Sequence, residues 1–160
     1  MDRDFKGFTE KQKKVLRCAT KRWNILSGAT RSGKTHVSYF LVMLRLKEHY
    51  DDNILFCAKT LATLERNVFA EMRKIFGEKY IGEVKADMAG NRMIKLFGKA
   101  CYCVGANDER AITKIQGLGL GYAYCDELTT YPENFFQMLK SRLDREDSKC
   151  DAPRNPQRPP

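Results

Sequence analysis

Eight consecutive residues, Gly28-Ala29-Thr30-Arg31-Ser32-Gly33-Lys34-Thr35, match the pattern G-x-x-x-x-G-K-[ST] in full. Each fixed element answers a physical need. The glycines let the chain wrap closely enough for backbone N–H groups to point at a β-phosphate, and the helix that follows adds the positive end of its dipole. Lys34 supplies a mobile charge to the β- and γ-phosphates, and the Thr35 hydroxyl is a small, hard ligand for Mg²⁺. Short patterns also arise by chance. Here the loop follows an apolar strand and opens a helix, the context that the chemistry requires, so ATP with Mg²⁺ is the expected ligand.

A phosphate loop needs a strand ending in an acid that orders the metal shell. Tyr122-Ala123-Tyr124-Cys125-Asp126-Glu127 supplies one. Asp126 is the expected metal-side carboxylate, acting through water. Past the strand end, Glu127 is free of strict alternation and turns toward the γ-phosphate, where it polarises a water. That pairing argues for hydrolysis over transfer to a second substrate. Arg31 admits several readings: a cis charge on the γ-phosphate, worth on the order of 10³–10⁵ in rate, a solvated loop charge, or a contact to a neighbouring subunit. Spacing alone leaves Gln12 a surface residue of a polar helix. The run Gly117-Leu118-Gly119-Leu120-Gly121 has the wrong spacing for a dinucleotide site and serves entry into a crowded sheet.

The elements around these residues alternate. A helix is expected over 9–20 behind Thr9, then the strand Trp23–Ser27, a nearly apolar helix from His36 to Leu46, and the strand Asn53–Ala58. Leu61, Leu64, Val68, Met72 and Ile75 space an amphipathic helix that Gly77 stops. Residues 93–97 and 100–104 form a hairpin about Gly98-Lys99. Tyr122–Cys125 is a strand, and Pro132 opens a last helix to about Leu143. This order specifies an α/β fold: a P-loop NTPase with a mainly parallel central sheet, flanking helices and a β-hairpin insertion. Pro153, Pro156, Pro159 and Pro160 mark residues 151–160 as a tail unable to sustain a helix or a central strand. The ATPase domain is thereby expected over residues 1–150, without all of its C-terminal part.

The whole chain of 160 residues carries 29 Lys and Arg against 20 Asp and Glu, a net +9. Residues 1–50 hold 12 basic and 4 acidic side chains, so a uniformly basic nucleic-acid coat is excluded. No run approaches the roughly 18 apolar residues of a membrane span, and Met1-Asp2-Arg3-Asp4 is too polar for a secretory signal. The six cysteines show no CxxC, and His36 and His49 sit in and at the end of an apolar helix. Neither a zinc site nor a disulfide framework is expected; reduced, buried thiols in a cytoplasmic protein are.

Taken together, these residues resemble the large terminase subunit of tailed phages, in the PBSX-like prophage group. The likeness runs over about residues 8–145, through Lys59-Thr60-Leu61, Arg66-Asn67-Val68, Gly105-Ala106-Asn107-Asp108-Glu109-Arg110, Ile115-Gln116-Gly117, Tyr124-Cys125-Asp126-Glu127 and Pro132-Glu133-Asn134-Phe135-Phe136. It implies an ATP-driven motor that threads double-stranded DNA into a procapsid, with the terminase small subunit and the portal protein as partners and a homo-oligomeric ring as the working form. By position, Gln12 corresponds to a glutamine that reads adenine, Lys34 and Thr35 to the phosphate and Mg²⁺ residues, and Asp126 and Glu127 to the metal carboxylate and catalytic glutamate. Arg31 lies where the family often places a catalytic arginine. Two departures stand out. The family continues into a strand with a Thr-x-Asn-Pro coupling motif, where this chain reads Ala152-Pro153-Arg154-Asn155-Pro156, and the nuclease domain that follows in the family is absent.

Three alternatives accompany that reading. A degenerate prophage remnant that at most binds nucleotide is suggested by the proline-rich end, where a mid-sheet strand should finish. A helicase fragment would need arginine motifs from a second core domain, and a nucleotide kinase has no place for Glu127.

Overall fold

The computed structural model describes residues 8–27 and 34–154, with Ser27, Lys34, Thr35 and Arg154 described by backbone alone. The loop residues Gly28 to Gly33 therefore lie outside the described residues, as do Asn155 and Pro156. The elements are α1 Glu10–Cys18, β1 Trp23–Ser27, α2 Lys34–Glu48, β2 Asn53–Ala58, α3 Leu61–Leu64, α4 Ala70–Phe76, β3 Lys85–Ala86, β4 Arg92–Leu96, β5 Lys99–Gly105, α5 Ala111–Ile115, β6 Leu120–Cys125, α6 Glu133–Arg142 and β7 Lys149–Arg154.

Seven strands form one sheet in the order β1-β7-β6-β2-β5-β4-β3. The first five run parallel, and β4 and β3 add antiparallel pairs at one edge. Parallel strands are covered on both faces, which is why β2 and β6 read as continuous apolar runs instead of alternating ones. On one face Tyr39, Val42 and Leu46 of α2, with Leu64, Val68 and Met72, pack on Ile54, Phe56, Tyr122 and Tyr124. On the other, Ile115 of α5 and Phe135 and Leu139 of α6 cover Leu55, Cys57, Ala123, Cys125 and Cys150. Helix α1 lies on α2 through Leu16, Ala19, Val37 and Leu41.

Strands β1 and β2 fall where the sequence places them, and so does the mainly parallel α/β sheet with its hairpin insertion. The other elements differ in informative ways. The amphipathic segment after β2 is not one regular helix: a π-helical turn, Glu65–Phe69, separates α3 from α4. The Tyr39 hydroxyl donates to the Asn67 carbonyl within that turn at 2.9 Å. Hydrophobic spacing does not reveal the extra residue, because the apolar side chains still face the sheet. The hairpin turn sits one residue earlier than expected, at Phe97 and Gly98, both with positive φ (50° and 83°). Two such residues match the twist of a tight hairpin. Pro132 caps α6 instead of standing in its first turn. Gly121 is required by a close approach: a Cβ there would lie 2.5 Å from the Asp52 side chain.

The proline-rich end needs the largest correction. Strand β7 continues through Pro153 and lies between β1 and β6, where the sequence reading expected a tail from residue 151. Ladder geometry explains the tolerance. The Cys150 N–H donates to the Arg22 carbonyl at 2.6 Å, on the β1 side. By alternation the nitrogens of residues 149, 151 and 153 face β6. Register pairs with β6 end at Tyr124 and Asp151, so the N–H missing from Pro153 falls beyond the last of them.

Among the described residues, β1 has a strand on one side only, and Ile25 on it is 46% exposed. Cys18 is exposed and the other five cysteines are buried. Burial pushes the Cys101 thiol up to about 12. No described helix is long and apolar enough to cross a membrane.

Candidate active site

Of the sequence-derived residues, Lys34 and Thr35 stand at the start of α2, and Asp126 and Glu127 follow the end of β6. Strand β1 stops at Ser27 and α2 begins at Lys34. Helix α2 runs fifteen residues from Lys34, so the positive end of its dipole lies at Lys34 and Thr35. Gly28, Ala29, Thr30, Arg31, Ser32 and Gly33 are outside the described residues. Lys34 and Thr35 are placed by backbone in the first turn of α2.

Asp126 follows β6 directly, and its main chain is held on both sides. Its N–H donates to the Cys57 carbonyl at 2.9 Å, and its carbonyl accepts from the Tyr131 hydroxyl at 2.9 Å. The next residue, Glu127, takes φ 50° and ψ 53°. A left-handed conformation is uncommon for a residue with a Cβ and marks backbone that its surroundings must hold. Here the holding groups are the N–H and the hydroxyl of Thr130, which donate to the Glu127 carbonyl at 2.9 and 2.8 Å. The chain thus reverses at Glu127, and the two acids do not continue the alternation of the strand.

Helix α2 and strand β6 are joined just below this turn. Ser38 and Tyr124 share a hydroxyl–hydroxyl hydrogen bond of 3.0 Å. Burial, then the charges of Asp126 and Glu71, push the Tyr39 hydroxyl well above its ordinary value. Burial and the charges of Tyr39 and Asp126 do the same to Tyr124. Sequence reasoning passed over Ser38, Tyr39, Tyr124 and Tyr131. A signal existed for two of them: Ser38 and Tyr39 follow Lys34 and Thr35 by four residues, which stacks them on the same faces of one helix.

Gln12 stands apart from these acids, in the first turn of α1. It closes a capping box with Thr9: the Thr9 N–H donates to Gln12 Oε1 at 2.9 Å, and the Gln12 N–H donates to Thr9 Oγ1 at 3.2 Å. The spacing Thr-x-x-Gln carries that signal. The same helix borders an open groove of about 420 Å³ between Lys11, Lys14, Val15 and Cys18 and the β1 residues Ile25 and Leu26.

A family model described as terminase large subunit, T4likevirus-type, N-terminal matches residues 25–156. The chain is 31% identical to the large terminase of a thermophilic bacteriophage, with a TM-score of 0.74 over 94% of this chain and 40% of that one. A structure of that terminase in complex with ATP-gamma-S matches at 29% identity and a TM-score of 0.67, over 91% of this chain and 37% of that one. The N-terminal domain of the DNA packaging ATPase from bacteriophage phi29 shares the fold, at 16% identity and a TM-score of 0.60, over 93% of this chain and 82% of that one. No curated protein matches in sequence. The chain spans less than half the length of the thermophilic phage terminase. A model match over most of the chain and a shared architecture lead to one assignment: the chain belongs to the phage terminase large subunit family, within its N-terminal region.

Proposed function

We propose that this chain is the ATP-hydrolysing motor portion of a phage DNA-packaging terminase, which drives double-stranded DNA into a procapsid. The observation that carries the reading is the backbone reversal at Glu127, directly after an Asp126 whose main chain is pinned at the end of β6. In this reading the N–H groups of Gly28 to Gly33 wrap the phosphates, and Lys34 neutralises them. Thr35 and Asp126 offer hard oxygens to Mg²⁺, a donor set that fits that ion. When bound, the ion adds positive charge against the phosphate oxygens. Glu127 orients a water and takes up its proton as that water attacks the γ-phosphate. Gln12 contacts the adenine, which requires its amide to leave the capping box, and Arg31 places positive charge on the γ-phosphate. The thermophilic phage terminase in complex with ATP-gamma-S supports the ligand class.

Family membership supports the rest of the proposal: a ring of copies, contacts with the small subunit and the portal, and work in the host cytoplasm. The ATPase unit extends through Arg154, since β7 is part of its sheet. The test is calorimetric titration with ATP and Mg²⁺. Wild-type protein binds, and Lys34→Ala loses binding. Equal affinity in both would end the proposal.

One observation favours the second reading, a nucleotide-binding remnant without turnover. Among the described residues no strand pairs with the outer edge of β1, and Ile25 on it is exposed. Steady ATP turnover together with cooperative thermal unfolding would remove it.

A further inference from the structure

Asp126 follows a parallel strand; the residues that precede these strands form a different surface. The turn at Phe97 and Gly98 precedes β5, Tyr50 to Asp52 precede β2, and Asp144 to Asp147 precede β7. Among the described residues four large apolar or aromatic side chains are exposed, and two of them belong here: Tyr50 at 55% and Tyr80 at 49%. Tyr80 stacks on Phe97 with ring centres 6.0 Å apart. Each tyrosine carries a cation. Lys99 Nζ stands 5.7 Å from the centre of the Tyr50 ring, and Lys79 Nζ stands 5.7 Å from that of Tyr80.

From Tyr50 the same surface turns acidic. Asp51 is exposed, and Asp52 pairs with Arg145, whose Nε lies 3.4 Å from the Asp147 carboxylate. Asp144 and Glu146 flank that arginine and are exposed as well. Arg145 thus offers one positive charge among five acids, while Lys79 and Lys99 have Glu78 beside them. Tyr50 stands where the two halves meet. A nucleic acid laid across this surface would be repelled over its acidic half. A second copy would not. Turned about a two-fold axis, it sets its acids against these lysines and its lysines against these acids, and brings both Tyr50 rings near the axis. Tyrosine is a side chain that protein interfaces favour. We infer that this end of the sheet is a self-complementary docking surface for a second copy of this chain. Such a contact closes on two copies, so it is distinct from the ring proposed above, in which each copy presents two different faces. It also leaves Asp126 and Glu127 uncovered.

Sedimentation equilibrium of the full chain tests this, with thermal unfolding as the check on each variant's fold. Wild type forms a dimer whose dissociation constant rises about tenfold or more between low and high salt. Two variants reverse one half each: Lys79→Glu/Lys99→Glu and Asp51→Lys/Glu146→Lys. Alone, each is monomeric, because its surface has become predominantly of one sign. Mixed in equal amounts, they form a heterodimer within about threefold of the wild-type affinity. The inference is overturned if wild type is monomeric at every concentration, if either variant dimerises as wild type does, or if the mixture stays monomeric. A monomeric wild type that binds a short DNA duplex through Lys79 and Lys99 overturns it in favour of nucleic acid. Where a reversal variant unfolds, Tyr50→Ser takes its place: it weakens the dimer about tenfold or more, and an unchanged dimer overturns the inference.

Discussion

Two groups of acids in the sheet are held in different ways. At the end where β6 stops, the protein anchors the main chain of Asp126 and bends Glu127 into a left-handed conformation. Elsewhere in the sheet and at its margin it anchors side chains. Asp151 takes hydrogen bonds from three residues, and Asp52 meets both His49 and Arg145. Main-chain anchoring fixes where an acid stands. Side-chain anchoring uses the acid's charge within the fold. The contrast separates acids placed through the main chain from acids whose charge is taken up by the sheet's own partners.

The most severe way to break this contrast is Glu127→Gln. It keeps shape and removes the base, so turnover falls roughly 10²–10⁴-fold while ATP binding persists. Comparing kcat with equilibrium affinity checks it, and undiminished turnover would place the base elsewhere. Asp151→Ala follows. It leaves Arg45 buried without its main partner and costs about 3–5 kcal/mol of stability, measured by urea unfolding. A cost near zero would mean that β7 is not held by charge.

Gly121→Ala is smaller. The new Cβ meets Asp52, which His49 and Arg145 keep from moving, so the cost is about 1–3 kcal/mol in the same assay. Tyr131→Phe is the mildest, removing one hydroxyl from the Asp126 carbonyl for about 0.5–1.5 kcal/mol. It sharpens the contrast if turnover drops by more than stability does.

Much of this was legible in the residues. The phosphate-loop pattern, the Asp126-Glu127 pair and the strands β1 and β2 follow from local spacing and apolar runs. The corrections cluster where distant segments decide. Pro153 reads as a strand breaker until the end of β6 shows that no partner awaits its N–H. Asp151 reads as a tail residue until Arg45, Asn24 and Tyr122 are brought to it. The π-helical turn escapes notice because Val68 and Met72 keep their faces while one residue is added between turns. Gln12 has a local role in the capping box of α1, through Thr9, which a helical wheel does not show.

The sequence by itself determined most of the elements and their order, because periodicity and backbone preference act over a few residues. The tertiary structure decided which strands are neighbours, above all the insertion of β7 between β1 and β6, and which acids are buried. Those outcomes depend on pairings between residues more than a hundred positions apart, such as Asn24 with Asp151 and Arg45 with Asp151. No local pattern encodes them. They are fixed only when burying a charge with all of its partners costs less than any other register of the strand.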